Sequence, residues 1–208
     1  MKGVFITFEG CESCGKSTQS RLLSGYLKEQ GRRVVFLREP GGTRVSEAVR
    51  GLLLDPENRS IAAETELLLY MASRAQTVRE VILPALKNGA VVVCDRFLDS
   101  TVVYQGYGLG MDTRFIAQLG RFATAGVTPD LTILLELPLK KAFAGISRKK
   151  DRIEQRSFAY HQRVKKGYLE LARREPKRIK IVKLAKGIQT TQAAIRSLAD
   201  AAIAGKTA

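Results

Sequence analysis

The segment that most constrains this chain is Val4 to Thr18, VFITFEGCESCGKST. A short apolar run of strand type passes into Gly10-x-x-x-x-Gly15-Lys16-Ser17. Apolar residues at helical spacing follow, at Leu22, Leu23, Tyr26 and Leu27. Strand, glycine loop and helix in that order form a phosphate-binding loop. Gly10 and Gly15 permit backbone angles and a close approach that a Cβ would block. The backbone of Gly10, Cys11, Glu12, Ser13, Cys14, Gly15, Lys16, Ser17 and Thr18 then cradles a polyphosphate at the positive end of a helix. Lys16 supplies a cation for the β- and γ-phosphates, and Ser17 supplies a hydroxyl for Mg²⁺. A chance glycine turn would lack the flanking strand and helix. The motif implies a nucleoside triphosphate ligand.

The rest of the chain alternates between strand and helix patterns. Val34 to Leu37, Val91 to Cys94 and Leu131 to Glu136 are β-rich apolar runs of the buried type. Ile179 to Leu184 alternates apolar residues with lysines, which suits an edge strand. Between the strands, the spacing predicts a long helix from Glu64 to Asn88, kinked at Pro84 and stopped at Gly89. It also predicts a short helix from Ser100 to Tyr107, one from Thr113 capped by Asp112, one from Phe158 to Arg174 and a closing helix from Thr190 to Ala204. Such alternation predicts a five-stranded parallel sheet with helices on both faces, a three-layer α/β fold in one domain over residues 1–208.

Composition narrows the setting. No apolar run approaches the roughly 20 residues of a membrane span. The first strand begins at once, which leaves no room for a signal peptide. Three cysteines without disulfide-scaffold spacing point to a reducing compartment, with the cytoplasm as the expected location. The formal charge of +15 is uneven: residues 140–186 carry 17 Lys+Arg against 4 Asp+Glu, leaving only +2 for the remainder. Such a block is either a nucleic-acid footprint or a solvated helix face with an electropositive lip over a polyanion pocket.

In a doubly wound sheet, ligands bind beyond the carboxyl ends of the strands. Three polar clusters fall there: Glu9 to Ser17, Arg38 to Thr43, and Asp95-Arg96. Asp95 ends a Val-Val-Val-Cys strand, the arrangement that brings a carboxylate to the metal of a phosphate loop. Arg96 is suited to a second phosphate. On the long helix, Arg74 shares a stripe with Leu67, Met71, Val78 and Val81, and Tyr70 lies one turn before it. Ring and guanidinium there suit a flat, carbonyl-bearing base. An arginine that snorkels past a core tyrosine fits the same periodicity.

Six segments, in order, resemble the thymidylate kinase family, bacterial type. They are Phe8-Glu9-Gly10 with the phosphate loop, Arg38-Glu39-Pro40-Gly41-Gly42-Thr43, Leu67 to Gln76, Asp95 to Gly106, Thr128 to Thr132 and Asp151 to Glu154. The resemblance implies ATP- and Mg²⁺-dependent phosphorylation of dTMP to dTDP by a homodimer. It implies that Tyr70, where the family usually has Phe, stacks on thymine, and that Arg74 meets the carbonyl edge of the base. Arg96 would hold the dTMP phosphate, with Asp95 near the metal and helping to place Arg96. Thr101 and Gln105 would contact the base, and Tyr104 would pack where a 2′-hydroxyl would sit. Glu12 would approach the sugar 3′-hydroxyl, and Arg38, Pro40 and Ser100 complete the substrate side. Some members carry an arginine in the loop where Ser13 stands. The charge would then come from a basic lid over about residues 146–155, with Arg148 and Arg152 as the catalytic candidates beside Lys16, Glu12, Asp95 and Arg96.

Two other functions fit parts of the sequence: a kinase for another nucleoside monophosphate, and a basic ATPase that binds nucleic acid. The basic block lacks interleaved stacking aromatics, which disfavours nucleic acid as a partner. Cys11-Glu12-Ser13-Cys14 adds an unusual C-x-x-C inside the loop. Either the cysteines are small packing residues, or the converging amides favour a reactive thiolate that bound triphosphate would protect.

Overall fold

The computed structural model describes residues 3–139 and 151–207. Five strands form one parallel sheet: β1 (Val4–Glu9), β2 (Val34–Arg38), β3 (Val91–Asp95), β4 (Leu131–Glu136) and β5 (Ile179–Lys183), in the order β2-β3-β1-β4-β5. β5 is an edge strand, as its alternating lysines predict. The chain fills one half of the sheet before the other, so β1 lies in the middle with its partners β3 and β4 on either side. That is where a doubly wound sheet opens a crevice.

The inner strands are apolar on both faces because both faces are covered. From β1, Val4, Ile6 and Phe8 pack with Leu23 and Leu27 of α1 (Lys16–Glu29) and with Ile195, Ala199 and Ile203 of the closing helix Ile188–Thr207. Phe5 points the other way, against Val78, Ile82, Val92 and Phe97. Leu27 is about fully buried at 1% exposure, so truncation to Ala is worth about 2–5 kcal/mol of stability.

α2 (Arg44–Leu54) is capped by Thr43, whose hydroxyl accepts from the Ser46 amide. The predicted long helix forms as α3 (Ala63–Thr77) and α4 (Leu83–Lys87), joined by a wider π-helical turn over Val78–Ile82. In that turn the Leu83 amide donates to the Val78 carbonyl. Pro84 has no N–H and would crowd the carbonyl four residues back, so the helix widens in the turn before it. After β3, α5 (Leu98–Thr101) opens into a second π-helical stretch over Val102–Gly108, where an ordinary helix was expected.

α6 (Thr113–Ala123) is capped by Asp112, as predicted. α7 (Phe158–Arg174) covers the Val102–Gly108 stretch and has the bounds read from sequence. A side chain of α7 packs onto the backbone of that stretch: a Cβ on Gly108 would lie 2.5 Å from the Tyr160 ring. The closing helix α8 (Ile188–Thr207) is longer at both ends than its periodicity suggested.

Candidate active site

Strand register brings the three polar clusters to one level. Phe8 pairs with Asp95 across β1 and β3, and Arg38 pairs with Asp95 across β2 and β3. The Arg96 amide continues this by donating to Phe8 O at 2.9 Å. The phosphate loop therefore leaves β1 directly beside Asp95 and Arg96.

Gly10 adopts φ 140°, and a Cβ there would sit 2.6 Å from the Leu135 carbonyl oxygen, so the first loop glycine is required twice over. Gly15 caps α1 at φ 79° without a side-chain hydrogen bond, leaving the first-turn amides of α1 for a ligand. Lys16 is nearly buried and folds back over the loop, donating from Nζ to the Cys11 carbonyl at 2.6 Å. Ser17 Oγ donates to Asp95 Oδ2 at 2.5 Å, while the buried Asp95 Oδ1 has no hydrogen-bond partner among the described residues. A hydroxyl, a carboxylate oxygen and open space beside a phosphate cradle suit Mg²⁺, which keeps several waters and takes few protein ligands.

Arg96 sits at φ 72°, a conformation rare for a residue with a Cβ. Its Nη1 reaches the Gly10 carbonyl at 3.1 Å, Ser100 Oγ at 3.2 Å and the Tyr168 hydroxyl at 3.3 Å. Its Nη2 makes a close ion pair with Glu12. The Tyr104 hydroxyl donates to the other Glu12 oxygen at 2.6 Å. Burial opposes the charge on Glu12, but Arg96 and then Lys16 outweigh it and hold the carboxyl below its usual range. Behind this group lies Glu9, fully buried, accepting from the Phe97 amide, Ser100 Oγ and the Tyr168 hydroxyl at 2.8, 2.6 and 2.8 Å. Burial first, and then Asp99, push Glu9 up to about 7.

At the far end, Tyr70 is half-buried. Arg74 is 2% exposed, so it does not snorkel: it is a buried charge. Its Nε pairs with Glu39 Oε2 at 2.8 Å, Nη1 donates to Thr101 Oγ1 at 3.0 Å and Nη2 to the Phe97 carbonyl at 3.1 Å. One cavity of about 490 Å³ joins the two ends. Glu12, Ser13, Gly15, Lys16, Ser17 and Thr18 line it from the loop. Arg38, Pro40, Tyr70, Arg74, Asp95, Arg96, Ser100, Thr101, Tyr104 and Gln105 line the rest. Such a volume holds a small ligand, and cationic groups lie at both ends.

The family model described as thymidylate kinase matches residues 8–195. The chain belongs to the thymidylate kinase family. A thymidylate kinase of Geotalea uraniireducens is 48% identical over 97% of this chain and 99% of its own length. One of Kosmotoga olearia is 50% identical over 86% of each chain. The crystal structure of thymidylate kinase from Ehrlichia chaffeensis superposes with a TM-score of 0.81 at 32% identity, covering 96% of this chain and all of that one.

Within this family frame, several sequence expectations need correction or addition. Arg152 does not line the cavity. It is 8% exposed, with Nη2 2.5 Å from Glu66 Oε2 and Nε donating to the Leu53 carbonyl at 2.8 Å. It ties the segment after residue 150 to α2 and α3 instead of presenting a free cation. A fully buried Glu66 outcompetes solvent for it. Arg148 lies outside the described residues, as does the first half of the expected lid.

The reactive-thiolate expectation fails on burial. Cys11 and Cys14 are buried, and burial first, then the neighbouring Cys14, push the Cys11 thiol up to about 12. Neither cysteine lines the cavity, and neither does Gly10.

Arg50, Asp151, Ile153 and Glu154 line it without having been singled out as site residues. Arg50 and Arg38 both donate to the Pro40 carbonyl, at 2.9 and 3.0 Å. The available signal was its spacing: Arg50 lies one turn beyond Glu47, which pairs with Arg38 at 3.0 Å.

Proposed function

We propose that the protein transfers the γ-phosphoryl group of ATP to dTMP, giving dTDP and ADP. The observation that carries this reading is the single cavity with a phosphate loop at one end and Arg96, Tyr104, Gln105, Arg74 and Tyr70 at the other. Transfer needs donor and acceptor held in line, with charge stabilised on the phosphoryl group in flight. The loop amides and Lys16 supply fixed positive potential on the donor side. Ser17 and Asp95 would hold Mg²⁺, which supplies neutralising charge for the β- and γ-phosphate oxygens.

On the acceptor side, Arg96 would take the dTMP phosphate in place of Glu12. The Gly10, Ser100 and Tyr168 contacts keep the guanidinium aimed during that exchange. Glu12, released from Arg96, is then free to accept from the sugar 3′-hydroxyl. Tyr70 would stack on the base, and Arg74 and Gln105 would meet its edge. Tyr104 would crowd a 2′-hydroxyl, and Arg38, Arg50 and Pro40 would border the substrate phosphate side. We treat residues 1–208 as one kinase domain whose lid spans about 146–155, and Asp151, Ile153 and Glu154 are the described part of it that reaches the cavity.

A homodimer is supported by exposed apolar side chains on three adjoining helices. α2, α3 and α6 pack side by side and expose Leu52, Leu68, Phe115 and Phe122, the last at 84%. A second copy is the occupant proposed for this face, testable by sedimentation of the wild type against a Phe115→Glu, Phe122→Glu variant. Among the described residues no helix is long and apolar enough to cross a membrane, and cytoplasmic location is proposed from the three unpaired cysteines.

Nucleic acid is disfavoured as a partner because several cations of the basic block are already ion-paired within the chain. Arg152 and Arg156 pair with Glu66, Arg178 with Asp99 and Glu175, Arg173 and Arg174 with Glu170, and Lys165 with Glu136. A coupled assay of ATP with each nucleoside monophosphate tests the reading. Preferred turnover of dTMP is expected; preference for another monophosphate, or turnover of none, would overturn it.

A further inference from the structure

Glu66 lies on α3 at zero exposure, outside the cavity, and three side chains converge on it. Arg152 Nη2 and Arg156 Nη2 stand 2.5 and 2.7 Å from Oε2. Gln105 Nε2 donates to Oε1 at 2.8 Å. A buried carboxylate needs such partners, since an unpaired charge in the interior is costly. Its effect on Gln105 is directional. An ionised carboxylate only accepts hydrogen bonds, so the end of the amide facing Oε1 must be the NH₂. Gln105 is 1% exposed and lines the cavity, which leaves Oε1 as the end of that amide able to meet a ligand.

Arg74 lines the same cavity and its guanidinium is purely a donor. An acceptor from Gln105 and a donor from Arg74 match a base edge that offers an N–H beside a carbonyl oxygen. Thymine and uracil have that edge. Cytosine inverts it, with an unprotonated ring nitrogen beside an amino group.

We propose that Glu66 is a specificity-determining positioning residue: held by Arg152 and Arg156, it fixes the Gln105 amide so that its oxygen reads the N–H of the base. Glu66 touches no substrate and acts only through Gln105. The arginine expected as a lid cation thereby has a place in base selection, as one of the two cations that hold Glu66. This inference rests on the reading of the cavity as a dTMP site.

Glu66→Gln tests it. The variant is nearly isosteric, and its own amide satisfies Gln105 in either orientation, so the oxygen is no longer imposed on the base. The measurement is kcat/KM for dTMP, dUMP and dCMP. The dTMP:dCMP ratio is expected to fall by about tenfold or more, while the dTMP:dUMP ratio stays within about twofold of wild type because those two bases share the edge. Equal losses on all three substrates, or an unchanged dTMP:dCMP ratio, would mean that Glu66 is structural glue only.

Gln105→Met keeps the volume and leaves Glu66 with both arginines, so it remains informative if Glu66→Gln does not fold. It should lose dCMP discrimination to a similar degree, and a retained ratio overturns the proposal. A wild type without preference for dTMP defeats the functional reading itself. A wild type that prefers dTMP, with variants that keep its selectivity, defeats this inference alone.

Discussion

Replacing Arg74 by Met removes a guanidinium from a site with almost no water. The Arg74 and Glu39 side chains are each 2% exposed, and the pair is closed at 2.8 Å. Methionine fills most of the arginine stem, so the loss is electrostatic and polar rather than steric. Glu39 Oε1 already has no hydrogen-bond partner among the described residues, so without Arg74 the carboxylate loses the pairing that Nε gives it. Breaking a buried pair from one side costs about 3–5 kcal/mol. The Thr101 hydroxyl and the Phe97 carbonyl, which keeps the Ser100 amide as a donor, each lose a hydrogen bond as well, worth about 1 kcal/mol together. A deficit of about 4 kcal/mol is a large share of the roughly 5–15 kcal/mol that holds a domain together.

Protonation offers Glu39 an escape. Burial already raises its carboxyl, with Arg74 opposing that rise, so the variant's Glu39 moves higher still. A group raised in the folded state contributes stability that is present below its unfolded pKa and is lost as pH rises through the folded value. The deficit of Arg74→Met should therefore be largest at pH 8 and shrink toward pH 5. Adding Glu39→Gln should restore much of it at pH 8. Urea unfolding of the wild type, both single variants and the double variant across that range measures all of this. A deficit below about 1 kcal/mol, or one that ignores both pH and Glu39→Gln, would refute the buried ion pair as the reason for Arg74's position.

Lys16→Ala should keep its circular dichroism and unfolding midpoint, since Lys16 hydrogen-bonds within its own loop, to the Cys11 carbonyl and Cys14 Sγ. Its kcat should fall by about 100-fold or more, because a preorganised cation is lost where charge develops; wild-type turnover would contradict the loop mechanism. Glu9, raised from 4.5 to about 7, contributes stability below pH 4.5 that is lost as pH rises through 7. The wild type should therefore lose up to about 3 kcal/mol across that window. Glu9→Gln should flatten that part of the stability profile, and parallel profiles would show that Glu9 does not titrate there. For the cysteines, native protein should react far more slowly with a thiol reagent than urea-unfolded protein, because Cys11, Cys14 and Cys94 are all buried and Cys11 stands near 12. Rapid stoichiometric labelling of the native fold would reverse that conclusion.

Local chemistry made much of this protein readable in its sequence. The phosphate loop depends on glycines, amides and one lysine that are contiguous in the chain, so strand, loop and helix specify it together. Continuous apolar runs marked the inner strands, and alternating lysines marked β5 as the edge. Asp112 capped α6 through a hydrogen bond to the Arg114 amide two residues on. Pro84 marked a break in the long helix, but the widened turn at Val78–Ile82 is the response of a packed helix and not of the sequence alone.

What only tertiary structure decided concerns charges whose partners are distant. Arg74 meets Glu39 from 35 residues away. Periodicity placed it on the apolar stripe but did not supply the carboxylate that allows it to be buried there. Arg152 resembled a mobile cation until Glu66, far back on α3, was seen to take it. Cys11 sits in the loop before a helix N-terminus, which lowers a thiol pKa locally, yet burial sets the sign. Desolvation depends on every element packed around the sulfur, and no sequence spacing encodes it.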